Sequence, residues 1–273
     1  MKGLIVLKQR VITGVALVIA LIVILILGTP FVEFAIALLA CVAALELFSA
    51  VQLADNKLLM VVSEIGVAGL VVAQCFGAQF FNPIMYVYIV SLFAVYMINM
   101  HKISFEEIAK TFFVTIYVAF MFAHIILVRN MEYGHFLIWF VLIGAFVTDT
   151  AAMFGGKYFG KHKLCPKLSP KKTIEGSLTG ILGCILCTLI MCVICQVGFD
   201  IETNYLWAIV VGFGASIISQ LGDLSASCIK RQFGIKDYGK IFPGHGGVMD
   251  RFDSLFFVAP FIYYMMLIIP ILK

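Results

Sequence analysis

The sequence predicts an all-α, polytopic integral membrane protein with about nine transmembrane helices and a cytoplasmic N-terminus. Three observations carry that expectation. First, 63% of the 273 residues are hydrophobic and only 12% are charged, against ~25% charged in soluble domains. So few charges cannot supply the polar shell that a soluble core of this size needs, and so apolar a chain is not disordered. Second, the apolar residues form continuous runs of about one bilayer crossing, not the alternating segments of about ten residues found in barrels. Helices satisfy their own backbone hydrogen bonds in lipid, so such runs read as helices. Third, the basic residues segregate to one side of the spans.

Taken in order, the spans are expected at Val11–Leu27, Phe31–Phe48, Leu58–Phe76, Pro83–Met100, Thr111–Val128, Phe136–Phe154, Ser177–Val197, Tyr205–Leu224 and Phe252–Leu272. The first follows Lys2, Lys8 and Arg10 and ends at Gly28-Thr29-Pro30. It is long and lacks a small-x-small cleavage pattern, so it reads as a retained span and not a signal peptide. The second and third spans flank Lys57, and the fourth and fifth flank Lys102 and Lys110. Arg129 and Glu132 follow the fifth span, and Asp200 and Glu202 follow the seventh. With the N-terminus inside, 17 of the 19 Lys and Arg residues are cytoplasmic, and only Arg129 and Lys273 are outside. One missed span would invert everything after it, so the bias supports the count as well as the orientation. The expected organisation is an N-terminal set of membrane helices, residues 1–135, and a C-terminal catalytic membrane domain, residues 136–273.

The net charge of +4 is too small to suggest nucleic acid as a partner. Cys184, Cys187, Cys192 and Cys195 spell C-x-x-C twice, but Cys184 and Cys195 would lie about 16 Å apart along a helix at ~1.5 Å per residue. One zinc ion cannot bridge that, so these read as small packing residues. Glu33, Glu46 and Glu64 fall inside apolar runs. Buried acids in a membrane are costly, and structural pairing or a cavity lining is the reading for these three.

Polar chemistry concentrates in two inner loops, Gly155–Gly176 and Ser225–Arg251, which hold 11 of the 19 basic residues. That excess points to a polyanion at the cytoplasmic face, or more plainly to anionic lipid headgroups. Asp223 lies near the inner end of the eighth span. Asp250 and Asp253 begin the ninth and share one helix face at a spacing of three. One of them could simply cap the helix. Three desolvated carboxylates repel unless a cation sits among them, and hard oxygen ligands beside basic loops suggest magnesium carrying phosphates. Pro243-Gly244-His245-Gly246-Gly247 feeds the start of that helix, where exposed N–H groups suit an anion. His245, Gly246 and Gly247 are therefore candidate substrate contacts, with a plain turn as the alternative. In the first loop Lys171, Lys172 and Thr173 are candidate phosphate contacts, although no Walker sequence is present. Asp149, near the inner end of the sixth span, is close enough to this loop to join the site.

The stretch from Ser227 to Asp253 forms one pattern: Ser227-x-Ile229-Lys230-Arg231, four residues, Lys236-Asp237-x-Gly239, two residues, Phe242-Pro243-x-His245-Gly246-Gly247-Val248-x-Asp250-Arg251-Phe252-Asp253. It resembles the signature of the phosphatidate cytidylyltransferase family, the CDP-diacylglycerol synthases, of the bacterial type. Ser169-Pro170-Lys171-Lys172-Thr173-Ile174-Glu175-Gly176 is similar to a second conserved block of that family and adds Glu175 to the substrate-binding candidates. The resemblance implies the reaction of CTP with phosphatidate to give CDP-diacylglycerol and pyrophosphate at the cytoplasmic face of the cell (inner) membrane. It implies a divalent metal, usually Mg2+, with a second cation such as K+ as a further expectation, and a homodimer. It matches Asp223 and Asp250 to metal-binding aspartates with Asp253 close by. It places Lys230, Arg231, Lys236, His245 and Arg251 in the same block, with Asp223, Asp250, Lys230, Arg231 and Arg251 as the catalytic set.

Three other readings compete. A CDP-alcohol phosphatidyltransferase would carry D-x-x-D-G-x-x-A-R, yet Asp253 is followed by Ser254. A polyprenol kinase would lack the full C-terminal signature. A transporter would concentrate polar groups near the midplane, and here they gather at one face.

Overall fold

The structure, a computed structural model, describes every residue except Met1, Ala54 and His245, and only the backbone of residues 2–12 and Ala78. His245, one of the expected substrate contacts, thus lies outside the described residues. The fold is all-α. Its helices are α1 (Lys2–Leu27), α2 (Thr29–Ala50), α3 (Lys57–Phe76), α4 (Phe81–Ile98), α5 (Phe105–Arg129), α6 (Gly134–Leu142), α7 (Thr148–Tyr158), α8 (Ile174–Phe199), α9 (Tyr205–Gln232) and α10 (Met249–Ile268). A π-helical turn at Ile143–Val147 joins α6 and α7 into one crossing, Gly134–Tyr158. Among the described residues, eight crossings are long and apolar enough to span a bilayer, and the described part of α1 adds the apolar stretch Thr13–Leu27. Each expected span falls on a helix, although α4 ends at Ile98 and α10 at Ile268, short of the expected Met100 and Leu272.

The chain forms two compact units. The first comprises Met1–Ile126 with Gln232–Arg251, and the second Leu127–Arg231 with Phe252–Lys273. In the first unit α2 packs on α1 and α3, and α3 on α4. α2 turns Val32, Ile36, Ala40, Ala43, Ala44 and Leu47 inward, at the three- and four-residue spacing of one helical face. Gly66 on α3 lets the Tyr88 ring approach, since a Cβ there would lie 2.6 Å from the ring. Tyr88 then donates to Thr115 at 2.8 Å, and Thr115 lies 2.8 Å from Ser63, so these buried hydroxyls satisfy one another.

In the second unit α7 runs along α8. The buried stripe of α8 is Gly176, Gly180, Cys184, Thr188, Cys192 and Cys195, all small, which is how helices approach closely in lipid. All eight cysteines are free thiols, and of the four in α8 Cys184, Cys192 and Cys195 are buried. Leu178, Leu182, Leu186, Ile190 and Val197 cover the opposite face and are exposed, as expected of a surface solvated by lipid.

Two details depart from the sequence expectation. α9 runs past Leu224 to Gln232, so Lys230 and Arg231 sit in its last turn and not in a loop. Basic residues there complement the helix dipole. The loop between α7 and α8 folds into an antiparallel hairpin, β1 (Lys163–Cys165) with β2 (Ser169–Thr173).

Candidate active site

In the second unit three aspartates from three elements meet. Asp149 lies in the first turn of α7, directly after the π turn. A π turn carries one extra residue and so rotates the rest of the helix by about 100°. Gly144, inside that turn, lies so close to Val258 that a Cβ would come within 2.7 Å of it. Asp253 is buried on α10 and interacts with Asp223 and Asp149, which repel it, and with Lys230, which offsets them. Lys172 forms an ion pair with Asp223. The buried Ser254 ties the set together. Its hydroxyl donates to Asp149 Oδ2 at 2.9 Å, and its backbone N–H donates to Asp253 Oδ1 at 2.8 Å.

Gly222 lets α9 and α10 close on one another beside this cluster. A Cβ at Gly222 would stand 2.6 Å from the Asp253 carbonyl and 3.0 Å from the Phe257 ring. Gly222→Ala is therefore expected to force the crossing apart, at the ~1–3 kcal/mol typical of overpacking. A thermal melt of the purified protein reads the destabilisation directly.

The hairpin residues take different places. Lys171 is exposed and Lys172 half-buried. Thr173 is buried and caps α8, accepting the Gly176 N–H at 3.1 Å. Glu175 holds the start of the hairpin. It accepts the backbone N–H groups of Lys161 at 3.0 Å and His162 at 3.2 Å, and the His162 ring lies 2.6 Å from it. Thr173 and Glu175 thus shape the basic loop that presents Lys171 and Lys172. The exposed Arg231 reaches the Leu168 carbonyl at 3.4 Å.

The first unit holds the glycine loop. Asp250, buried at the start of α10, accepts the backbone N–H groups of Tyr238 at 2.8 Å and Gly247 at 3.0 Å through one oxygen. Phe242 N–H donates to the Gly246 carbonyl at 2.9 Å, closing a tight turn. Gly244 and Gly246 have φ of 78° and 86°, the left-handed region that favours glycine. The loop borders an open pocket of about 660 Å³ lined by Lys236, Lys240 and Arg251 together with Asp237, Phe242 and Gly244. That volume is in the range of small-ligand sites, and three cations with a glycine turn suit an anion.

The residues fit magnesium in one respect: Asp253 faces the like charges of Asp223 and Asp149. Among the described residues no three acidic, His or Cys side chains are placed so that together they could hold a metal ion. Magnesium is usually held by one or two carboxylates, with water and substrate phosphates completing its shell, and Asp223 and Asp253 are the two that would serve. One participant escaped the sequence reading, and a second, Glu46, was read as a structural pair or cavity lining without its partner. Ser254 had a weak signal, a hydroxyl beside an acid in an apolar helix. Glu46 reaches the loop from α2 and accepts the Met249 N–H at 2.9 Å.

Fold and site together define a polytopic membrane transferase, with clustered carboxylates in one unit and a basic glycine-loop pocket in the other. Residues 8–269 match the cytidylyltransferase family, and the chain belongs to it. It is 33% identical to the phosphatidate cytidylyltransferase of Bacillus subtilis over 275 residues, covering 95% of this chain and 97% of that protein. It is 31% identical to the protein of the same name from Staphylococcus saprophyticus, covering 93% and 96% of the two chains. A third such protein, from Staphylococcus epidermidis, is 40% identical over 164 residues, 60% of this chain and 61% of the relative.

Proposed function

We propose that this enzyme transfers the cytidylyl group of CTP to phosphatidate, giving CDP-diacylglycerol and pyrophosphate. The observation that carries this reading is the meeting of Asp149, Asp223 and Asp253 with Lys172 and Lys230, in a chain that matches cytidylyltransferases over nearly its whole length.

The chemistry needs charge control more than a strong base. A phosphate monoester loses its second proton near pH ~6, so phosphatidate is largely a dianion at neutral pH. Its oxygen forms a bond to the α-phosphorus of CTP as the bond to the β-phosphate bridging oxygen breaks, and pyrophosphate leaves with that electron pair. No side-chain nucleophile is required. Lys236, Lys240 and Arg251 bind the triphosphate in the glycine-loop pocket, and the turn at Gly244–Gly246 lets the backbone approach it. Asp223 and Asp253 would hold the metal, joined by Asp250 on the resemblance alone, with Asp149 and Ser254 fixing the orientation of Asp253. Magnesium supplies neutralisation of the phosphate oxygens when bound. Lys172 and Lys230 balance the carboxylates. Lys171 and Arg231, both exposed, attract the anionic headgroup.

The bias of 17 of 19 basic residues to one side supports a site at the cytoplasmic face of the inner membrane. A homodimer is part of the proposal on the resemblance alone.

The test uses purified full-length enzyme in phosphatidate-containing micelles with CTP labelled in its α-phosphate. Label is expected in the lipid fraction, released pyrophosphate in equal amount, and loss of both on adding excess EDTA. CTP left intact beside phosphatidate and magnesium would overturn the reading. Transfer of label to a polyprenol, or to CMP with a free alcohol, would favour the competing classes.

A further inference from the structure

Glu46 stands on α2, outside both signature blocks, yet its carboxylate is buried against the glycine loop. The residue is 7% exposed. Its Oε2 accepts the Met249 N–H at 2.9 Å, so another helix supplies a carboxyl cap to the first residue of α10, where a free N–H needs a partner. Gly239 and Gly247 press on the same side chain. A Cβ built at either glycine collides with Glu46 Oε1, and the three nearest atoms at each position all belong to Glu46. Neither glycine has a positive φ. Their backbone does not demand glycine, whereas the Glu46 carboxylate does.

The loop is thus held by two acids. Asp250 takes Tyr238 N–H and Gly247 N–H, and Glu46 fills the space between Gly239 and Gly247. The segment so held, residues 236–251, carries the cations of the pocket, Lys236, Lys240 and Arg251. We propose that Glu46 is a positioning residue for the nucleotide pocket: it is the post around which the loop is wrapped, and it fixes the spacing of the phosphate-binding cations. The proposal rests on the reading of this pocket as the CTP site.

The experiment compares Glu46→Ala, Gly239→Ala and the double variant in the full-length enzyme, with initial rates taken separately against CTP and phosphatidate. Glu46→Ala is expected to raise KM for CTP about tenfold while KM for phosphatidate stays within about twofold. Gly239→Ala alone is expected to be damaging, because its methyl group meets the carboxylate. In the Glu46→Ala background the same change should cost about twofold or less, a non-additive pair. A general loss of structure would move both KM values together and would show no such suppression, and either result overturns the proposal.

Tolerance of Gly239→Ala with Glu46 intact also overturns it, whether or not Glu46→Ala inserts. Tryptic cleavage at Lys236 and Lys240 without substrate gives a readout independent of the reaction. Faster cleavage in Glu46→Ala supports the positioning role even if CTP proves not to be the nucleotide, and unchanged cleavage overturns it. A wild-type enzyme inert towards CTP and phosphatidate would refute the function and leave this comparison readable.

Discussion

Asp253→Asn is expected to lower cytidylyl transfer by at least about a hundredfold, the scale on which a metal ligand or a preorganised charge acts. Asp223→Asn should do the same. Both exchanges keep volume and remove one negative charge. The local structure survives the first, because an asparagine oxygen can still accept the Ser254 N–H that Asp253 Oδ1 accepts at 2.8 Å. What is lost is charge among groups that already repel: Asp253 faces Asp223 and Asp149 with Lys230 opposed. Removing one of several like charges relieves repulsion in metal-free protein. The Asp253→Asn melting temperature in EDTA is therefore expected to equal or exceed that of the wild type, with activity gone. This pairing of greater stability with lost function marks a site built against its own stability. The measurement is initial rate over a magnesium titration, with a melt on the same preparations. Near-normal transfer in both variants would remove the metal assignment, and a lower melt for Asp253→Asn would mean that its charge serves the fold.

The spans were legible because lipid leaves few choices. A crossing must be apolar along about 20 residues and helical throughout. The ends of helices beyond the lipid were less legible. The last turns of α9 hold Ser227, Lys230, Arg231 and Gln232, and polar residues look the same in a helix projecting into water as in a loop. The hairpin was hidden for a similar reason, since Lys163–Thr173 shows no apolar alternation.

The candidate site residues stood out where they are close in sequence. Asp250 and Asp253 announce themselves by spacing, and the glycine loop by its composition. Tertiary placement did not. The position of Asp149 depends on a π turn packed around Gly144, Val258 and Ala215, which no local pattern records. Glu46 and Met249 are separated by 203 positions. The only hint was that an acid inside an apolar run must find a partner. Thr173 illustrates a real ambiguity. A hydroxyl residue just before a helix reads equally as a phosphate contact or as an N-cap, and the structure uses its oxygen for Gly176 N–H.

Asp250 is a residue on which loop order and chemistry can be separated. Asp250→Ala would strand two buried backbone donors, Tyr238 N–H and Gly247 N–H. Each costs ~1–3 kcal/mol when left without a partner, and hydrogen bonds to a charged acceptor are about twice as strong as neutral ones. The loop should therefore open, trypsin should cut at Lys236 and Lys240 far faster than in the wild type, and transfer should fall at least about a hundredfold. Asp250→Asn keeps one oxygen able to accept both N–H groups, so its loop should resist trypsin nearly as well as the wild type does. Its transfer activity is nevertheless expected to be lost, because the resemblance assigns Asp250 a role that needs negative charge. The two variants then differ in protection and agree in inactivity. An active Asp250→Asn enzyme would reduce Asp250 to a tie for the loop. A protected loop in Asp250→Ala would mean that Glu46 and the Phe242–Gly246 turn hold it without help.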